Sequence, residues 1–422
     1  MKTVAILGYG NRGRGYAALI LQQKEPMQIV AVCDSSAEKL QAAKAELQLP
    51  DTALFSDTDA FFKKGQLADF LFVCTQDTQH FAHTMQALET GYAILLEKPI
   101  APDLKECVAI RDKAAALHRQ VQVCHVLRYT DFYTAVRRVI DSGRLGQLVS
   151  IELHEDVCYW HQAHSFVRGD WNCAAKSAPM ILAKCCHDLD LAVYLAKSRC
   201  LSVASQGKLH YFKPENAPNG ATHRCKDCPH KATCIYSAYR IYIEPSAKMS
   251  EAALRHAWPQ CRLTSDGVVT MEKLLHAVEN GPFGRCVYHC DNDVVDYQVT
   301  AMQFESGVQA TLTMTAFSRR MNRQIHLRGA LGELIGDMEE RVLCFYPFGG
   351  EKEEIPLQPF DGIGGHGGGD AGLMHALAQG ICKTDIAESV QSHIMAFAAE
   401  YSRLHGGIPV DLKSFERQNI EK

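Results

Sequence analysis

The tightest constraint in this 422-residue chain lies near its N-terminus, where Val4-Ala5-Ile6-Leu7 runs directly into Gly8-Tyr9-Gly10-Asn11-Arg12-Gly13 and then into residues of helical period. Glycines at this spacing between a strand and a helix have separate duties. Gly8 permits the tight turn, Gly10 lets the backbone approach a pyrophosphate, and Gly13 lets helix and strand pack closely. The helix N-terminus then presents free N–H groups, those of Asn11 and Arg12 among them, and a positive dipole to phosphate. Asp34 closes the second apolar run about twenty residues later, where a carboxylate accepts the ribose hydroxyls. The same charge repels the extra phosphate of NADP, and Asp34-Ser35-Ser36 supplies no arginine to receive it, so NAD is the expected cofactor.

The surrounding pattern agrees with a parallel, doubly wound α/β Rossmann sheet. Short β-rich runs at Thr3 to Leu7, Gln28 to Cys33, Asp69 to Cys74, Ala93 to Leu96 and Gln122 to His125 alternate with helical stretches. That alternation sets a first domain over residues 1–125. A chain this long exceeds one hydrophobic core, so a second domain is expected over 126–422. It opens with a helix from Asp131 to Ser142 and continues in alternating runs: Leu148 to His154, Tyr297 to Phe304, Val308 to Thr315 and Gln324 to Arg328. These predict a mostly antiparallel sheet. A Cys- and His-rich insert spans about 214–259, and helices return at Gly372 to Gly380 and Ala387 to Leu404.

Ligands of such a sheet bind beyond the carboxyl ends of its strands. Thr75, Gln76 and His80 follow one strand in a polar loop suited to lining the cofactor. Glu97-Lys98-Pro99 follows the next, with proline fixing the loop that presents Lys98, and Arg128 follows the last. Upstream of His187, the stretch Trp160 to Trp171 interleaves aromatic rings with His161, His164 and Arg168. Rings that stack on sugar C–H groups beside hydrogen-bonding side chains suit a carbohydrate pocket, although a structural loop has the same composition. The glycine-rich run Gly364 to Asp370 carries His366, forms a rim to the substrate site, and leads into a helix that Asp370 could cap.

On Gly8 to Gly13, Asp34, Glu97-Lys98-Pro99, the Arg128 segment, His187-Asp188-Leu189-Asp190 and the tail from Ala398 to Gly407, the chain resembles the glucose-fructose oxidoreductase, inositol dehydrogenase and rhizopine-catabolism (Gfo/Idh/MocA) family. The resemblance covers nearly the whole chain. It implies a Rossmann domain plus an α+β domain with a large open sheet, a dimer or tetramer formed through that sheet, and hydride transfer on a sugar, sugar derivative or cyclitol. It also gives Lys98 the place beside the reacting oxygen and His187 that of acid/base. Chemistry supports both roles: histidine titrates in the range proton transfer needs, and a lysine polarises oxygen electrostatically. The sequence departs from the family at Ala183, where many members carry aspartate; Lys184 stands beside it as a polar anchor, a binder of an anionic sugar group, or a solvated side chain. Two other activities fit the same residues, a redox-assisted glycoside hydrolase and a non-catalytic NAD-binding sensor, though retention of Lys98 and His187 argues against the sensor.

A net charge of −4 with both signs interspersed gives no surface for nucleic acid. No stretch has the uninterrupted apolar length of a membrane span, and the N-terminal run is too short for a signal peptide. The seventeen cysteines are scattered, as suits reduced thiols in the cytoplasm. Cys225-x2-Cys228-x5-Cys234 is different: its spacing is that of a structural zinc site, with His223 or His230 to complete it, or of thiols clustered by accident in a cysteine-rich chain.

Overall fold

The apolar runs of the first 125 residues form one parallel sheet. In the computed structural model, which describes residues 1–23, 25–255, 257–264, 267–358, 362 and 365–420, its strands are β1 (Lys2–Leu7), β2 (Met27–Cys33), β3 (Leu54–Phe55), β4 (Phe70–Val73), β5 (Ala93–Leu96) and β6 (Val121–Val123). They lie in the order β3-β2-β1-β4-β5-β6. Val4 to Leu7 and all of β4 are buried, because helices cover both faces. These helices begin where side chains satisfy their free N–H groups: Ser36 accepts from Lys39, and Asp103 from Lys105 and Glu106. Strand order reverses between β1 and β4, and the crevice there opens at the carboxyl ends of the strands.

The second sheet has nine strands in the order β14-β13-β12-β11-β7-β10-β9-β8-β15. They are β7 (Leu148–Asp156), β8 (Cys200–Lys208), β9 (Tyr297–Phe304), β10 (Gln309–Thr315), β11 (Asn322–Gly329), β12 (Gly332–Asp337), β13 (Val342–Pro347), β14 (Glu353–Glu354) and β15 (Val410–Asp411). Only β7 and β10 pair in parallel. In β9 the buried side chains alternate, Gln298, Thr300, Met302 and Phe304 facing the helices Cys186–Ala196 and Ile386–Leu404. Five of these strands, β8 and β12 to β15, are absent from the sequence reading. The helix Gly369–Ala378 returns to the first sheet, where Leu373, Met374 and Leu377 share a core with Val4 and Ile6.

The excursion between β8 and β9 is longer than its cysteines and histidines mark. It has its own core, in which Phe212, Tyr236, Tyr242, Leu274, Val278 and Phe283 are buried. Among the described residues, no helix is long and apolar enough to cross a membrane.

Candidate active site

The glycine turn occupies the carboxyl end of β1. Gly8 has φ +93°, and a Cβ there would lie 2.6 Å from the Cys74 carbonyl oxygen; one on Gly13 would lie 2.1 Å from the carbonyl of Gly8. Over Gly10 the space is open. The helix Asn11–Gln23 makes its first internal bond from Arg14 N to Gly10 O (2.9 Å), so the N–H groups of Asn11, Arg12 and Gly13 precede its ladder. No acidic residue occupies its first turn to repel phosphate. Asp34 accepts from Tyr9 N (2.8 Å) and Ser36 N (2.9 Å), which fixes its carboxylate beside the turn. Thr75 and Gln76 border the crevice from the end of β4, with Thr75 Oγ1 3.0 Å from His83 Nδ1.

Four residues expected to touch the cofactor have their polar side chains engaged by the protein instead. Glu97 is buried and accepts from Arg12 Nε (2.7 Å), Tyr16 OH (2.6 Å) and Lys98 N (3.1 Å). Burial would raise its carboxyl, but Arg12 and then Lys98 hold it below the usual range. The Arg12 guanidinium also grips Asp370 (2.8 and 3.1 Å). His80 is fully buried, with Nδ1 2.7 Å from Pro99 O and Nε2 3.1 Å from Thr75 O; it ties the β4 loop to the loop carrying Lys98. Arg128, 1% exposed, makes a bidentate pair with Asp190 (2.7 and 2.7 Å) and reaches Glu388 (2.9 Å). It fastens two helices of the second domain.

Lys98 lies near enough to His187 for its charge to act on the ring. Lys98 follows β5 at a cis Lys98–Pro99 bond and donates to Ala183 O (3.3 Å). His187 is 4% exposed, and neither ring nitrogen has a hydrogen-bond partner. Its ring centre lies 5.7 Å from His366 and 5.8 Å from His125. Burial first, then the charge of Lys98, pushes its pKa well below the ordinary histidine value, so the neutral ring prevails at pH 7. The expectation of a histidine titrating near neutrality is thereby corrected. His366 lies 3.2 Å from Asp370, which does not cap the helix Gly369–Ala378; burial would raise that carboxyl, but Arg12 and His366 hold it far below the usual range. Gly364 falls outside the described residues.

Lys184 and His187 do not share one helical face. The helix Met180–Ala183 ends at Lys184 and a new one starts at Cys186. The break turns Lys184 onto buried Glu155 (3.0 Å), which with Asp188 also holds Arg323 (Asp188 Oδ1 2.8 Å). Glu155, Arg323 and Asp370 carry the geometry of this wall; nothing in the local sequence marks the first two, and Asp370 is marked there only as a helix cap. His161 packs edge-on to Trp258, with Nδ1 buried and unpartnered. Trp171 donates to Asp77 (3.0 Å) and links the cofactor loop to the second domain. His164 and Arg168 belong elsewhere. Both are 2% exposed: His164 stacks on Phe283 and meets Tyr242 OH (2.9 Å), while Arg168 donates to the carbonyls of Arg285 and Tyr236 (2.7 and 2.6 Å). They are built into the excursion's core.

Cys225, Cys228 and Cys234 border one small cavity in the excursion. Among the described residues, no three His, Cys, Asp or Glu side chains converge at single-ion distance.

A glycine turn at the switch point of a parallel sheet, an acid fixed beside it and a lysine near a buried histidine are features of a nicotinamide-dependent oxidoreductase. The chain belongs to the Gfo/Idh/MocA family: residues 2–125 match its oxidoreductase family model with an NAD-binding Rossmann fold, and residues 133–225 match the GFO/IDH/MocA C-terminal domain. YteT of Bacillus subtilis (strain 168), named as an oxidoreductase, is 21% identical over 401 residues, covering 90% of this chain and 89% of its own. An inositol 2-dehydrogenase of Pseudomonas fluorescens (strain SBW25) is 30% identical over 145 residues, 34% of this chain and 43% of its own length. Among solved structures, levoglucosan dehydrogenase in complex with NADH and L-sorbose superposes with a TM-score of 0.69 at 16% identity, over 97% of this chain and 98% of that one. An oxidoreductase from Agrobacterium radiobacter in complex with NAD+, L-tartaric acid and magnesium gives 0.66 at 14% identity, over 98% and 99%. These two establish the shared fold.

Proposed function

We propose that the protein oxidises a hydroxyl of a sugar, sugar derivative or cyclitol with NAD, using Lys98 to polarise the reacting oxygen and His187 to take its proton. The observation that carries this reading is the buried His187 ring, held neutral near Lys98 with both nitrogens unpartnered. A neutral ring is the form that can accept the hydroxyl proton. NAD, held by Gly8, Gly10, Gly13, Asp34 and the helix N-terminus, supplies the hydride acceptor. His161, His366 and Trp171 border the substrate side, and Lys184, already paired with Glu155, sets the wall. Inositol 2-dehydrogenase among the relatives and the L-sorbose complex among the structural neighbours name a cyclitol and a sugar, which supports this substrate class. A dimer or tetramer through the outer face of the nine-stranded sheet, where Val149 and Ile335 are exposed, is part of this reading. So is a cytoplasmic setting, in keeping with seventeen free thiols.

The test is a panel of sugars and cyclitols with stoichiometric NAD, for which NADH should accumulate in proportion to product. Glycosides with catalytic NAD in deuterated water form the opposing arm. Release of aglycone, deuterium at the carbon next to the anomeric centre and no accumulating NADH would overturn net oxidation in favour of redox-assisted hydrolysis.

Cofactor preference has its own expected result. NADH should bind more tightly than NADPH, and Asp34→Ala should close the gap by on the order of tenfold, the worth of one charge-assisted hydrogen bond. Lys39 lies 3.6 Å from Asp34 and would be left facing the phosphate of NADPH. Fluorescence titration of both cofactors measures this, and equal wild-type affinities would defeat the NAD assignment.

A further inference from the structure

The excursion's cavity is bordered by a fourth thiol, Cys286, which lies about sixty residues along the chain from Cys225. Backbone pairing brings it there. Arg224 and Arg285 form an isolated antiparallel bridge, and Cys286 N donates to His223 O (2.9 Å), so the two segments run side by side. The turn Cys225–Asp227 returns the chain to Cys228, and a second turn closed by Cys234 N to His230 O (2.8 Å) returns it to Cys234. Ala238 N points at Cys225 Sγ (3.4 Å), a donor suited to a thiolate.

A second observation is Arg168, which borders the same cavity. Among the described residues this buried guanidinium bonds two carbonyls, adjoins the Tyr242 hydroxyl, which also meets His164, and approaches Cys225 Sγ at 3.7 Å, all of them neutral partners. Among the described residues no carboxylate compensates it there. A buried charge without a counter-charge is strongly unfavourable, so the cavity calls for an anion. Four thiols become one on binding a metal, which deprotonates them outright and leaves the centre with net negative charge. His230 also borders the cavity, but its Nε2 lies 2.8 Å from Asn219 O.

We infer that Cys225, Cys228, Cys234 and Cys286 together bind a thiolate-ligated metal centre that pairs with Arg168 and closes the excursion's core. The centre is structural and stands apart from Lys98 and His187, so this inference holds or fails independently of the substrate reading. A zinc ion needs the four sulfurs within about 3.8 Å of one another, from tetrahedral bonds near 2.3 Å. The described thiols do not stand that close, so a zinc ion has to draw them together, whereas an iron–sulfur cluster accepts them further apart.

The experiment is elemental analysis of the whole protein, purified without chelators and under anaerobic conditions, with acid-labile sulfide and visible absorption measured on the same sample. The expected result is about one zinc per chain without sulfide, or iron with matching sulfide and visible colour; each supports the four-thiolate centre and identifies it. Cys286→Ser should lower bound metal at least tenfold, as should Cys225→Ser. Cys290→Ser and His230→Ala should retain it. Should a thiol variant fail to fold, mercurial titration of the wild type decides instead, since four thiols must react as the metal is released. Protein free of zinc and iron, or metal unaffected by Cys286→Ser, would overturn the inference.

Discussion

Lys98→Met should leave NADH affinity nearly unchanged while lowering turnover by two to three orders of magnitude, roughly the loss from removing one preorganised electrostatic donor. The side chain that remains still fills the loop held by Glu97 and by His80 through Pro99. His187→Ala should cost about a hundredfold to ten-thousandfold by the ordinary worth of a general base. The pH profile separates a chemical role from a structural one. Because burial and Lys98 both depress the His187 pKa, activity in the wild type should stay level through neutrality and fall only in acid. Removing the Lys98 charge lifts one of those causes, so the residual activity of Lys98→Met should fall at a higher pH than that of the wild type. Stopped-flow turnover with NADH titration on each variant measures both. Full activity in either variant, or an acid limb that does not move in Lys98→Met, would end the assignment for that residue.

The glycine turn was legible because its constraints are local. Gly8 and Gly13 are demanded by backbone atoms a few residues away or one strand over, and a strand–turn–helix leaves few alternatives. The apolar runs of the parallel sheet announced themselves for a similar reason, being buried on both faces. By contrast β8 runs Cys200–Lys208 through Ser202, Ser205 and Gln206, and its place between β9 and β15 comes from partners far along the chain. The same distinction explains the site. Glu97, Arg128 and Arg168 have the right chemistry beside the right motifs, but sequence does not show which partner will claim them. Asp370 stands 358 positions from Arg12, and Asp190 stands 62 from Arg128. Glu155 and Arg323 went unnoticed because an ion pair across two strands leaves no spacing signature. Cys286 escaped in the same way, placed by a bridge between distant segments.

Acid should unfold this protein well before its carboxylates neutralise. His125, His161, His164, His187 and His393 are all shifted down, burial being the first cause in each, and His164 and His393 are pushed down to about 3. A histidine whose folded pKa is below its unfolded value near 6.5 binds a proton more readily when unfolded. Its contribution is therefore intact above about pH 6.5 and lost as pH falls toward 3, at about 1.4 kcal/mol per pH unit for each such group. Asp188, raised by burial to about 6, and Asp190, also raised by burial, work in the opposite sense and offset part of this loss below about pH 6. For His164 and His393 together the loss by pH 4.5 approaches about 5 kcal/mol, comparable with the whole stability of many domains. The His393 geometry requires the neutral form, since Nε2 accepts from Ile100 N at 2.8 Å. Protonation there breaks a bond two residues from Lys98, so activity should fail together with stability. Urea unfolding at stepped pH measures the slope, and His393→Gln, which keeps an acceptor but cannot titrate, should flatten it by about 1.4 kcal/mol per unit. Stability that is level from pH 7 to 5 in the wild type would refute the buried-histidine account.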